Sequence, residues 1–214
     1  GKKEIVKKYI DIPGDFSSAA YLMAANILSN KRNQVENVGV NRTRVDFLQV
    51  LGDMGAMIQI KNHSIESNEP RADLTVFCKD ELKGTTINGN KIPNLIDEIP
   101  LIAILAMFAK GKTIVRDAKE LRYKESDRIS LLLSNIRSFN PDVRIKEFED
   151  GFEIEPAEDK KMGVVKIKTG GDHRIAMSFM IASLKNGKKV EFDDMECVET
   201  SFPSFFYLIK KWYQ

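Results

Sequence analysis

Five charges fall within the eight residues Leu121-Arg122-Tyr123-Lys124-Glu125-Ser126-Asp127-Arg128, directly before the apolar pattern Ile129-Ser130-Leu131-Leu132-Leu133. Ser126 or Glu125 reads as the helix cap, because a side-chain oxygen there can accept the free N–H groups of the first turn. Lys124 and Arg128 then stand at the positive end of the helix dipole, a mismatch that costs about 0.3–1 kcal/mol. An anion held jointly by the helix end and the basic side chains would remove that mismatch. The same arrangement recurs twice. Arg174 follows Gly170-Gly171-Asp172-His173 at the start of a second helix, and Arg42 and Arg44 precede Val45-Asp46-Phe47-Leu48 at a third. Three helix starts with arginine on the wrong side point to one shared anionic ligand or surface. Guanidinium groups suit phosphate and carboxylate. The carboxylates among them, Asp97, Glu125 and Asp172, ionise easily beside cations and serve better as bases than as acids. Asp97 and Asp172 also read as helix caps, and His173 as a structural or orienting group.

The elements that must position these residues follow from pattern. Helices with small or apolar faces start after Asp15, Asp97 and Asp172: Phe16–Leu28, Glu98–Lys110 with Pro100 in its first turn, and a third running to about Lys185. Amphipathic helices are expected over Thr43–Met54, from the charged cluster to Phe139, and from Ser201-Phe202-Pro203 to about Tyr213. Strands are expected at Glu4–Ile12, Glu36–Val40, Met57–Lys61, Leu74–Phe77, around Thr86, at Thr113–Val115, Val164–Lys168 and Lys189–Phe192. Val143–Lys146 and Phe152–Ile154 read as a hairpin around Asp150-Gly151. Asn62–Pro70, which contains His63, and Glu158–Lys161 read as polar loops.

The order repeats: apolar helix, strand, amphipathic helix. One domain over residues 1–214 is expected, with repeats at about 4–62, 73–156 and 164–214. Three such units around a three-fold axis, helices inside and sheets outside, give an inside-out α/β fold. That packing explains why the apolar helices lack a polar face. It also gathers several positive helix ends at one end of the domain.

Composition bounds the alternatives. The 214 residues are 43% hydrophobic and 30% charged, ordinary for a soluble globular protein. Thirty-three Lys and Arg against 31 Asp and Glu give a net charge of +2, which offers no general support for nucleic-acid or membrane binding. The longest apolar run, Ile99–Phe108, is too short to span a bilayer. Cys78 and Cys197 have no metal-ligand spacing and fit a reducing cytoplasm. The Lys- and Glu-rich start shows no leader pattern, and Gly1 in place of Met reads as the start of a fragment. No P-loop, GxGxxG or HExxH occurs.

Leu121–Arg128 resembles the LRxKESDR signature of the 5-enolpyruvylshikimate-3-phosphate (EPSP) synthase family, and Gly171-Asp172-His173-Arg174-Ile175-Ala176-Met177 resembles its GDHRxAM signature. Pro13–Ala20, Asn41–Arg44, Glu81–Gly84 and Ile96–Pro100 are similar to further family segments. The likeness covers nearly the whole chain but only the second half of the family's length. It implies one lobe of a two-lobed enzyme, each lobe built of three βαβαββ-type units around buried parallel helices. The implied reaction joins phosphoenolpyruvate to the 5-hydroxyl of shikimate 3-phosphate and releases phosphate, with no cofactor and no metal. By position, the resemblance makes Asp97 the acceptor of the hydroxyl proton and Glu125 the proton donor and acceptor at the methylene carbon. The resemblance also makes Lys124 a catalytic residue that contacts shikimate 3-phosphate and shuttles protons, and Arg128 and Arg174 the clamp on phosphoenolpyruvate. Thr200 stands where the family often has lysine and Glu120 where some members have asparagine. The implied partner is the family's N-terminal lobe, with the chain alone essentially inactive. Two alternatives remain: a transferase acting on UDP-N-acetylglucosamine, and a non-catalytic module that holds RNA or a phosphorylated partner.

Overall fold

The structure, a computed structural model, describes residues 9–158 and 163–213. Three helices form its centre: α1 (Phe16–Ser29), α3 (Ile99–Met107) and α5 (His173–Asn186), which pack against one another. Every residue of α3 is buried, and so are twelve of the fourteen in α1. Ala19, Ala20, Ala24 and Ala25 on α1 and Ala103 and Ala106 on α3 keep the surface low enough for close approach. A helix apolar all round has to be enclosed, and three sheets enclose these.

The first sheet holds β1 (Val35–Gly39), β2 (Met57–Glu66) and β3 (Glu69–Phe77) in the order β1-β3-β2, all antiparallel. The second holds β4 (Thr86–Ile87), β5 (Thr113–Val115), β6 (Arg144–Phe148) and β7 (Gly151–Glu155) in the order β4-β5-β7-β6. Here β4 and β5 run parallel across α3, and β6–β7 is the expected hairpin, with Ile145 opposite Ile154. The third pairs β8 (Val164–Ile167) with β9 (Lys189–Phe192) in parallel across α5. The outer helices are α2 (Asp46–Asp53), α4 (Arg128–Phe139), α6 (Glu196–Ser201) and α7 (Phe205–Tyr213). The inside-out α/β architecture is therefore the observed one. Its second unit shows the full βαβαββ order; the third, among the described residues, ends in helices.

Four expectations need correction. Asn62–Pro70 is not a loop, because β2 continues to Glu66, turns at Ser67-Asn68 and returns as β3. His63 is thus on a strand, exposed as expected. The first sheet reaches Phe77, past residue 62 where the first unit was expected to end. The last helical segment is broken: α6 ends at Ser201, and α7 opens only at Phe205, after Pro203. Of the strand expected at Glu4–Ile12, residues 4–8 lie outside the described residues, and Tyr9–Ile12 joins no ladder. A single parallel bridge, Gly14 to Val38, borders α1 there. In the Glu158–Lys161 loop, residues 159–161 also lie outside the description.

Candidate active site

The first turns of the three buried helices meet at one end of the core, and the arginines flagged by their positions meet there too. Asp97, in the turn before α3, is the common point. Its Oδ2 lies 3.2 Å from Arg174 Nη2 and 3.8 Å from Arg44 Nη2. Its Oδ1 accepts from Arg128 Nη1 at 3.5 Å, and its backbone carbonyl accepts from Arg174 Nη1 at 3.1 Å. Its side chain is 23% exposed, so the carboxylate reaches solvent past the three guanidiniums.

Asp97 does not cap α3. The capping position is Glu98, and no side chain fills that role. Pro100, in the first turn, has no N–H to offer, and the Glu98 side chain is held by Ser17 instead. The carboxylate of Asp97 is thus free for the arginines. Asp172, in contrast, is the cap it was read to be, accepting from the Arg174 backbone N–H at 3.0 Å. Its second oxygen accepts from Arg128 Nε at 2.8 Å and Ser126 Oγ at 3.0 Å.

The α4 cap is Asp127, not Ser126 or Glu125: its side chain accepts from Ser130 N–H at 3.0 Å. Ser126 is turned to Asp172, and Glu125 pairs with Arg128. Arg122 binds the segment to the rest of the lobe. It donates to Asp127 and Ser130 on one side and to Glu147, Phe148 O and Glu149 O on the other.

The anion that the misplaced arginines call for is thus partly supplied from within. Arg128 is only 1% exposed and bonds to Asp97, Glu125 and Asp172. Of the residues predicted for the site, Asp97, Glu125, Arg128 and Arg174 lie in one hydrogen-bonded cluster. Lys124 sits just outside, on extended backbone, paired with Glu120. Of the two earlier arginines, Arg44 belongs and Arg42 is in none of these contacts. His173 is half-buried beside Arg174, Asp172, Glu125 and Arg128; burial first, and then Arg174, push its pKa down. Thr200 bonds back to Cys197 O within α6.

Sequence reasoning passed over Glu98, Ser17 and Tyr21. Ser17 Oγ donates to Glu98 Oε1 at 2.5 Å and accepts from Arg44 Nη2 at 2.7 Å. The available signal was a glutamate at the mouth of a wholly apolar helix. Among the described residues, no group of three or more His, Cys, Asp or Glu could hold a metal ion.

Three enclosed helices with converging N-termini, and carboxylates among arginines at that end, define a lobe of the enolpyruvyl transferase type. The enolpyruvyl transferase NikO from Streptomyces tendae shares the fold at 12% identity (TM-score 0.67) over 94% of this chain and 43% of that one. The sequence model of the EPSP synthase (3-phosphoshikimate 1-carboxyvinyltransferase) family matches residues 1–208, and the chain belongs to that family. A 3-phosphoshikimate 1-carboxyvinyltransferase of Geobacter metallireducens is 43% identical over 212 residues, 99% of this chain and 48% of the relative. That of Petrotoga mobilis is 46% identical over 201 residues, 94% of this chain and 46% of the relative. The solved structure of EPSP synthase from Acinetobacter baumannii superposes with a TM-score of 0.84 at 34% identity, covering 94% of this chain and 46% of that one. The chain spans about half the length of the curated relatives it matches.

Proposed function

We propose that this chain supplies one wall of an active site that transfers the enolpyruvyl group of phosphoenolpyruvate to the 5-hydroxyl of shikimate 3-phosphate. The observation that carries this is the convergence of Arg44, Arg128 and Arg174 on the partly exposed carboxylate of Asp97. Arg128 and Arg174 clamp the phosphoenolpyruvate anion, exchanging part of their internal carboxylate contacts for it. Asp97 takes the proton of the 5-hydroxyl as its oxygen bonds to C2 of the enol. Glu125 gives a proton to the methylene carbon, which becomes a methyl group in the tetrahedral adduct. The C2–O bond to phosphate then breaks as the departing phosphate oxygen takes up the proton that Asp97 accepted, the methyl carbon returns a proton to Glu125, and the enolpyruvyl ether and inorganic phosphate leave. Lys124 contacts the 3-phosphate of the acceptor. The second wall comes from the half of the family's length that this chain does not span. No cofactor and no metal enters the scheme. Among the described residues no helix is long and apolar enough to cross a membrane, and with Cys78 and Cys197 both free thiols the reading is a cytoplasmic enzyme.

The test is phosphate release from phosphoenolpyruvate by the natural full-length product that contains this sequence. Shikimate 3-phosphate and UDP-N-acetylglucosamine would be offered separately. Release with shikimate 3-phosphate only, reduced about 100-fold or more by Asp97→Asn, is the expected result. Release with the nucleotide sugar only would move the assignment to the related transferase. Release with neither would leave a phosphate-binding module.

A further inference from the structure

Behind the exposed face of the arginine cluster lies a second, fully buried polar group. Glu98 is 2% exposed, at the start of the most apolar helix in the molecule. Ser17 fixes its Oε1, and Ser17 in turn holds Arg44; the same Oε1 lies 4.0 Å from Arg174 Nη1. One carboxyl therefore stands behind two guanidiniums that meet at Asp97 from different elements. Two like charges brought to one carboxylate repel each other, and a counter-charge on their far side offsets this.

The other oxygen, Oε2, has no protein partner, and neither do the Tyr21 hydroxyl of α1 and the Ser178 hydroxyl of α5. Ser178 is close enough to influence Tyr21, and Arg174 and Glu98 act on Tyr21 as well, but no hydrogen bond of ordinary geometry joins the two hydroxyls. Two hydroxyls and a carboxyl oxygen, each buried without a protein partner, with Glu98 and Ser178 both near enough to act on Tyr21, are the partner set of an internal water, which takes two to four hydrogen bonds.

From this geometry we infer that Glu98 is the positioning residue of the anion site. Its carboxyl is held by Ser17 on one oxygen and by a water shared with Tyr21 and Ser178 on the other. It fixes where Arg44 and Arg174 point. Burial, the largest influence on this carboxyl, raises its pKa, and burial also pushes Tyr21 up to about 12. A neutral Glu98 keeps both the Ser17 contact and the water contact, so the positioning role does not depend on its charge alone. Facing it are Arg174 of α5, Arg44 ahead of α2, Tyr21 of α1 and neighbouring Asp97.

The effect on catalysis rests on the reaction proposed above; the effect on geometry does not, and the two are tested separately. The first arm is crystallographic and uses this chain. Wild type is expected to show an ordered water about 2.7–3.1 Å from Glu98 Oε2, Tyr21 Oη and Ser178 Oγ. Glu98→Ala is expected to release Arg44 from Ser17 and Arg174 from Asp97. A dry space in wild type together with unmoved arginines in the variant overturns the inference. The second arm measures turnover of the natural full-length product. Glu98→Ala raises KM for phosphoenolpyruvate about tenfold with a smaller change in kcat. Glu98→Gln, which keeps an acceptor for Ser17 and a polar group for the water, recovers most of that loss. If Glu98→Ala does not fold, Ser17→Ala replaces it, with a KM increase of about threefold expected. An unchanged KM in whichever variant is used overturns the inference. No phosphate release by wild type overturns the proposed reaction instead and leaves the crystallographic arm to decide on Glu98.

Discussion

Asp172 carries three loads with two oxygens: it caps α5, neutralises Arg128 and receives Ser126. Both Asp172 and Arg128 are essentially without solvent. Removing one partner of such a pair strands a buried charge, at about 3–5 kcal/mol. Asp172→Ala should lose that much in a urea titration. Asp172→Asn, which can still cap α5, should lose about 1 kcal/mol less. His173 next to it yields a prediction in pH. Its folded-state pKa lies below the ordinary value, through burial first and Arg174 second. Its contribution to stability is therefore full above about pH 6.5, the unfolded value, and declines as pH falls through the lower folded value. His173→Asn should flatten the loss of stability between pH 7 and 5, measured by urea midpoints across that range. At this scale the sequence was legible wherever a residue violated a local rule. Arg128, Arg174 and Arg44 stood out as cations at the wrong helix end. What no local rule contains is that all three would share Asp97, since that contact requires three distant segments to converge. Glu98 was hidden for the opposite reason. Next to Asp97 it looked like one more acid in a helix start, and its enclosure is a property of the packed core.

The same division holds for elements. The buried helices were readable because Asp15 and Asp172 cap two of them and because side chains as small as alanine mark close packing. The β2–β3 hairpin was readable only at its far ends, residues 57–61 and 74–77, since residues 62–66 are exposed and show no alternation of apolar and polar residues. Its turn residues Ser67 and Asn68 both take positive φ, the geometry of a two-residue hairpin turn, without the Asn-Gly pair that usually announces one. Glycines show how far backbone packing, rather than pattern, decides an element. A Cβ on Gly151, the first residue of β7, would stand 2.0 Å from the Val115 carbonyl oxygen of neighbouring β5. The β5–β7 ladder cannot open there without losing its Val115–Phe152 pairing. Gly151→Ala should therefore cost about 3–5 kcal/mol. Gly187, which ends α5 at φ 67° with nothing near its missing Cβ, pays only for the left-handed backbone. Gly187→Ala should cost about 1–2 kcal/mol. Comparing thermal unfolding of the two variants separates steric clash from backbone strain; equal losses would refute the close-approach account.

For the whole molecule, the three-unit fold brings the helix N-termini and their arginines to one end and leaves that end open. Glu125 is 46% exposed and Asp97 23%, so water reaches both carboxylates from outside the lobe. Acid–base work on an enol needs its groups held at a fixed distance from substrate and shielded from bulk water, and guanidinium–anion contacts are worth far more in a closed site than in an open one. Among its described residues this chain has one such set of anion-holding residues, and its relatives are about twice as long. It should therefore bind phosphoenolpyruvate weakly and in a salt-dependent manner, with affinity falling as ionic strength rises from 0.01 to 0.15 M and the Debye length shortens from about 30 to about 8 Å. Its phosphate release with shikimate 3-phosphate should lie at least about 1000-fold below that of the natural full-length product, the combined loss of orientation and water exclusion. Stopped assays on the chain alone, on the full-length product, and on the chain mixed with the remaining half as a separate polypeptide decide the matter. Recovery of turnover on mixing places the missing catalytic wall in that half. Turnover by the chain alone, at rates near those of the full-length product, would mean that the open cluster at Asp97 is already a complete site.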